Sequence, residues 1–190
     1  VPVSHDPQHR NTQRATRRLR WHDGASDPNA ERCVGGERAL TSGERRIATS
    51  VFGTAIDYDR VTLKRRKWAF FQPRKTTMAP RGHIHFHPRG DSYCDDFARE
   101  SVIRQGLLIH ELTHVWQTQT LGQWYLVTHR MPWARYDYSL KPGWPLDRYG
   151  IEQQAEIVKH AFWLRNGVKV AGIADPAAYD LLVRFPGAER

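Results

Sequence analysis

The run Leu107-Leu108-Ile109-His110-Glu111-Leu112-Thr113-His114-Val115-Trp116-Gln117 sets an HExxH pattern inside an apolar stretch free of Gly and Pro. No other segment constrains the fold as tightly. On an α-helix, side chains four residues apart lie about one turn apart on the same face, so His110 and His114 can both reach one metal ion from a rigid backbone. Glu111 then falls beside the metal. A carboxylate there can take a proton from water and carry it to a leaving amine, the chemistry of metal-assisted peptide hydrolysis. Val102, Gln105, Leu108, Leu112 and Val115 are the candidates for the buried side of this helix. A core helix with two hydrogen-bonded histidines and a solvated glutamate would carry the same letters. Polar residues this dense in an apolar segment are costly to bury without a role, which favours the metal.

A catalytic Zn2+ needs a third protein ligand and an open position for water. The extended pattern HExxHxxGxxH fails, because Gln117 and Thr120 stand where Gly and His are required, and this excludes the metzincin arrangement. Downstream, residues 149 to 164 read as a second helix, beginning after a glycine and stopping near Asn166-Gly167. Glu152 and Glu156 lie one turn apart on it. The spacing resembles the gluzincin arrangement, in which a Glu on a later helix completes HExxH and an acid four residues on supports the site. Glu152 is therefore assigned as ligand and Glu156 as the group that fixes the tautomer of His110 or His114. The reverse assignment, and a surface helix with two solvated glutamates, stay open. His129, in a loop after the first helix, is the rival third ligand.

The 190 residues suit one domain with a real core. No apolar stretch is long enough to span a membrane. The N-terminus is neither an initiator Met nor a signal peptide and reads as the cut edge of a longer protein. Cys33 and Cys94 lack the CxxC spacing of a structural zinc site and are either free thiols or one disulfide. The formal charge is +9, and from Arg60 to Arg89 there is no acidic residue, with Lys64-Arg65-Arg66-Lys67 as a compact basic block. Such a face can serve anionic envelope polymers, phospholipid headgroups or nucleic acid, or can be a solvated strand face. No helix-turn-helix, RNP or zinc-finger pattern accompanies it, so no nucleic-acid partner is expected.

Residues 1 to 36 are polar and Arg-rich and read as a leader or linker with a short helix around Gln13 to Trp21. The domain proper, residues 37 to 190, opens with a helix over Thr41 to Phe52, announced by the capping pair Thr41 and Glu44 and stopped at Gly53. Strands are expected at Val61 to Leu63, Lys67 to Phe71 and His83 to His87. The alternating His83, His85 and His87 make a second metal site conceivable, but with no acid or Cys nearby they read as a polar strand face. That strand's edge is the expected place for an extended peptide to pair. Between the two metal helices, Met131 to Pro145 is rich in Pro and aromatics and suits a cleft wall. Tyr136, Tyr138, Tyr149 and His160 are candidates to donate a hydrogen bond to the oxyanion of a tetrahedral intermediate, and each can equally be a packing residue. Asp175-Pro176 announces a short terminal helix.

The segments Leu40-Thr41-Ser42-Gly43-Glu44, Val51-Phe52-Gly53, Ile56-Asp57-Tyr58, Val61, Met78-Ala79-Pro80, Asp96-Phe97 and His110 to Gln117 together resemble the zinc metallopeptidase domain of Vgr-related proteins, found at the C-terminus of some VgrG spike proteins of bacterial type VI secretion. The resemblance covers about residues 40 to 165, and its HExxHVWQ core is its most specific part. It implies a secreted effector carried as part of a longer spike protein, acting as a toxin in the periplasm of a competing bacterium or in a host cell, with an immunity protein as counterpart. His110 and His114 match the family's zinc ligands and Glu111 its catalytic acid/base. The expected architecture is thus α+β and zincin-like, of gluzincin type: a small antiparallel or mixed sheet with an active-site helix and a glutamate helix. The expected substrate is a peptide or protein, including a peptidoglycan stem peptide. The rival reading, from another class, is a zinc-stabilised module whose basic face docks to an anionic envelope polymer or nucleic acid.

Overall fold

The computed structural model describes residues 36–122, 126, 136–173 and 175–188. The expected helix around Gln13 to Trp21, together with Cys33 and His129, lies outside the described residues. The described elements are β1 (Glu37–Ala39), α1 (Ser42–Phe52), β2 (Thr62–Lys64), β3 (Ile84–His85), α2 (Val102–Leu121), α3 (Ile151–Arg165) and α4 (Pro176–Leu182). The architecture is α+β. The strands form a small mixed sheet in the order β1-β2-β3, with β1 and β2 antiparallel and β2 and β3 parallel.

α1 starts where its cap predicts: the Thr41 side chain accepts from Glu44 N, and the Glu44 carboxylate accepts from Thr41 N. Glu44 does more than cap. Fully buried, it takes two 2.7 Å bonds from the Arg38 guanidinium and a third from Phe97 N at 2.9 Å, joining β1, α1 and the turn before α2. The helix stops at Gly53, whose φ of +51° is in the left-handed region.

The centre of the molecule is α2, capped by Ser101 and buried on most of its circumference from Gly106 to Thr118. Leu108, Ile109, Leu112 and Val115 pack with Leu63, Ile84, Phe86 and Phe97 from the sheet side and Ile157 and Val158 from α3. Gln105, a candidate for that buried side, is half-buried and bonds the carbonyls of Ala98 and Glu100. The approach of α3 to α2 is close at Gly106, where a Cβ would run into the Trp163 indole; that indole donates to Val102 O at 3.1 Å. α4 closes over α3 through the Arg165–Asp180 pair and buried Tyr179.

Two strand expectations are corrected. Lys67 to Phe71 forms no strand: the Gln72 side chain accepts from Trp68 N and donates to the carbonyls of Thr76 and His85, drawing the segment into a turn. The run His83 to His87 pairs as a strand only at Ile84–His85. Beyond that strand the edge is occupied, since Met78 exchanges both backbone bonds with His85, at 3.1 and 2.7 Å. No helix among the described residues is long and apolar enough to cross a membrane. Cys94 is a free, half-buried thiol.

Candidate metal centre

Two helices build the site. α2 carries His110, Glu111 and His114 on its inner side, and the first turn of α3 presents Glu152. The N-terminal turn of a helix favours a carboxylate, because unpaired amide dipoles point toward it. Glu152 Oε2 lies 3.4 Å from His110 Nε2 and 3.2 Å from His114 Nε2. One ligand atom from each of the three falls within 4.8 Å of the others, and all three residues are buried. Among the described residues this is the group able to hold a metal ion. His83, His85 and His87 form no such group.

The far nitrogens of both imidazoles also face polar side chains. His110 Nδ1 sits 3.0 Å from Glu156 Oε1, one turn along α3 from Glu152. His114 Nδ1 sits 2.8 Å from Gln117 Oε1. Gln117 has no choice of orientation: its Nε2 donates to Ile151 O at 3.0 Å and to Gln154 Oε1 at 2.9 Å, while Gln154 Nε2 donates to Tyr149 O at 2.7 Å. Its carbonyl oxygen must therefore accept from His114 Nδ1–H, which leaves the Nε2 lone pair facing Glu152 and His110. Sequence reasoning missed Gln117 and Gln154 in this role. The signal was present, since Gln117 lies three residues after His114 on the same helix face and is a fully buried polar side chain. Replacing Gln117 with leucine is expected to weaken metal binding by about 10–100-fold, with glutamate at the same position restoring most of it, as read by competition titration.

The electrostatics ask for a cation. Burial pushes the His110 imidazole down from its usual 6.5, yet the Glu152 and Glu156 carboxylates, with the charge of Glu111, raise it to about 9. Glu156 is held at about 2: burial works against ionisation, but His110 and Lys159 outweigh it. Glu152, Glu156 and the charge of Glu111 all act on His110, so positive charge is retained there.

Glu111 is 4% exposed and lines a cavity of about 290 Å³ with His110, Tyr136, Glu156, Lys75, Thr76 and Thr77. On the other side of the metal group, His114 and Glu152 line a cavity of about 280 Å³ with Trp68, Phe71, Met78, Pro80 and Leu126. The segment from Lys75 to Pro80 thus borders both cavities. Of the four candidate oxyanion donors, only Tyr136 lies at this cleft, its ring stacked over His110 at 6.4 Å. The Tyr138 hydroxyl is spent on His160 Nδ1 at 2.6 Å and Tyr179 at 2.9 Å, and His160 Nε2 faces Glu156 at 3.6 Å. Tyr149 turns its hydroxyl to Lys141 N at 2.8 Å. Tyr138 and His160 line a neighbouring cavity of about 540 Å³ that shares Tyr136 and Glu156 with the Glu111 cavity.

No family model matches the chain. Over 137 residues it is 41% identical to the type VI secretion system spike protein VgrG2b of Pseudomonas aeruginosa, a stretch covering 68% of this chain and 13% of that protein. It therefore spans only a small part of that relative's length. Among solved structures it is similar to the effector domain of Pseudomonas aeruginosa VgrG2b, with a TM-score of 0.64 and 38% identity, covering 84% of this chain and 88% of that one.

Proposed function

Because the chain belongs to the family of VgrG-related effector domains, we propose that it is a zinc-dependent peptide hydrolase of zincin-like, gluzincin-type architecture, delivered as a toxin by type VI secretion. The observation that carries the reading is the convergence of His110 Nε2, His114 Nε2 and a Glu152 oxygen beside the buried Glu111. Ligand atoms each about 2.0–2.1 Å from a tetrahedral zinc are roughly 3.3 Å apart. The observed 3.4 and 3.2 Å separations fit that spacing. Zinc bound there supplies Lewis-acid chemistry, polarising a carbonyl and making water acidic enough to lose a proton near neutral pH.

The chain's own residues divide the remaining work. Glu156 and Gln117 hold the histidines with Nε2 facing inward. Glu111 accepts the proton from water and returns it to the leaving nitrogen. Tyr136 is the side chain placed to donate to a developing oxyanion. Since Met78 pairs with His85, the neighbouring peptide groups of Thr77 and Ala79 turn to the outer side, where an extended substrate can align between the two cavities. This segment takes over the pairing role expected of the histidine strand.

The rival reading, a structural zinc in a binding module, requires a fourth protein ligand, whereas the group among the described residues has three. Expressed in a sensitive bacterium with a periplasmic export signal, the domain is expected to arrest growth, and Glu111→Ala is expected to be harmless. Without the export signal both are expected to be tolerated. Equal toxicity in the two compartments would argue against a periplasmic target, and toxicity retained by Glu111→Ala would favour the binding module.

A further inference from the structure

The segment Lys64 to Lys75 carries three aromatic residues, six cations and no acid. It is a built loop rather than a loose one. Gln72, 2% exposed, anchors its base through bonds from Trp68 N and to Thr76 O and His85 O, and two further backbone bonds, Gln72 N to Ala69 O and Thr76 N to Pro73 O, set its turns. At its tip Phe70 is 90% and Phe71 62% exposed, packed edge to face, with Trp68 beside them at 37%. An aromatic as exposed as Phe70 on a fixed turn gains nothing from burial within the described chain, a gain that another apolar phase can supply. Arg65, Lys67, Arg74 and Lys75 flank the aromatics in the chain, all exposed and without a carboxylate partner among the described residues, while Lys64 and Arg66 pair with Glu37; Lys67 bonds Phe70 O and Arg74 bonds Arg89 O.

The geometry points to a membrane-docking loop: Phe70 and Phe71 wedge into an anionic phospholipid bilayer while the flanking cations meet its headgroups. Aromatic rings insert at the boundary between headgroups and acyl chains, and cations near an anionic surface each add to the attraction. A substrate-binding role would account for Trp68 and Phe71, which wall the cavity at His114 and Glu152, but not for Phe70 or for the cations. Docking holds that cavity at the bilayer surface. The inference goes beyond the peptidase reading and does not depend on it.

Co-sedimentation of the 190-residue chain with phosphatidylglycerol-containing vesicles and with pure phosphatidylcholine vesicles tests it. Binding is expected to the anionic vesicles, weaker to the neutral ones, and to fall as salt is raised. Phe70→Asp is expected to reduce partitioning by roughly tenfold or more. Lys75→Glu, which leaves the aromatics in place, is expected to reduce it by at least about fivefold on anionic vesicles. Unchanged melting temperatures would show that both variants fold. Metal-free protein and Glu111→Ala are expected to bind vesicles like the parent, which separates failure here from failure of the peptidase reading. The proposal is overturned if the parent does not bind anionic vesicles or if both variants bind as it does. It is also overturned if Phe70→Asp spares vesicle binding and instead raises KM for peptides, which would assign the loop to substrate.

Discussion

Glu111→Ala is expected to lower the proposed peptide hydrolysis by about 10²–10⁴-fold, the range typical of a lost general acid/base, and to leave the zinc content of the purified protein unchanged. The separation of the two effects follows from position. Glu111 lies next to His110 in sequence, and its carboxylate opens on the cavity that also holds Tyr136 rather than joining the His110, His114 and Glu152 group. His110→Ala and His114→Ala are each expected to remove one proposed ligand and to lose metal together with activity. Metal analysis of the three variants beside a peptide-cleavage assay decides the matter. A zinc-free Glu111→Ala protein would make Glu111 a ligand and would move the proton-transfer role elsewhere.

How far the sequence could be read depended on the range of the interaction that fixes each feature. The cap at Thr41 and Glu44 and the pairing of His110 with His114 are set within one turn of a helix, so periodicity and spacing reveal them. The placement of Glu152 opposite both Nε2 atoms, with Glu156 behind His110, follows the same four-residue spacing on a second helix. Letters could not show which helix face meets which. That is decided by Gly106 admitting the Trp163 indole and by Gln117 spanning to Ile151 and Gln154. The aromatic run Lys67 to Phe71 has strand composition, yet a single buried side chain, Gln72, satisfies the local backbone differently and turns the rings outward. Likewise Tyr138, Tyr149 and His160 sit near the site in sequence, but the Tyr138 and Tyr149 hydroxyls are taken up by Tyr179, His160 and Lys141, and His160 faces Glu156 rather than the Glu111 cavity directly. Such contacts are products of the finished fold.

Zinc affinity is expected to rise steeply with pH, by about tenfold per unit well below the titration of His110, and so by about fiftyfold between pH 7 and pH 9. In the metal-free chain His110 is protonated up to about 9, held there by Glu152 and Glu156 against the opposing effect of burial. Zinc and that proton compete for the same Nε2 lone pair. Because the folded value lies above the usual 6.5, the proton's contribution to stability is fully present below about pH 6.5 and is lost as pH climbs through 9. Glu156, at about 2, stays a carboxylate throughout and adds nothing to the slope in this window. The melting temperature of metal-free protein should thus fall from pH 6.5 to 9, while saturating zinc stabilises more at the upper end. Glu152→Ala would remove a proposed zinc ligand and also the carboxylate that most strongly holds the His110 proton. This variant should lose tight zinc binding and most of the pH dependence of the metal-free melting temperature at once. His129, the rival third ligand, gives a different pattern: if it completed the site, His129→Ala would lose zinc and Glu152→Ala would bind like the parent. Calorimetric titration across the pH range, on the parent and both variants, separates the two, and a flat profile in the parent would mean that no proton leaves His110 when the metal enters.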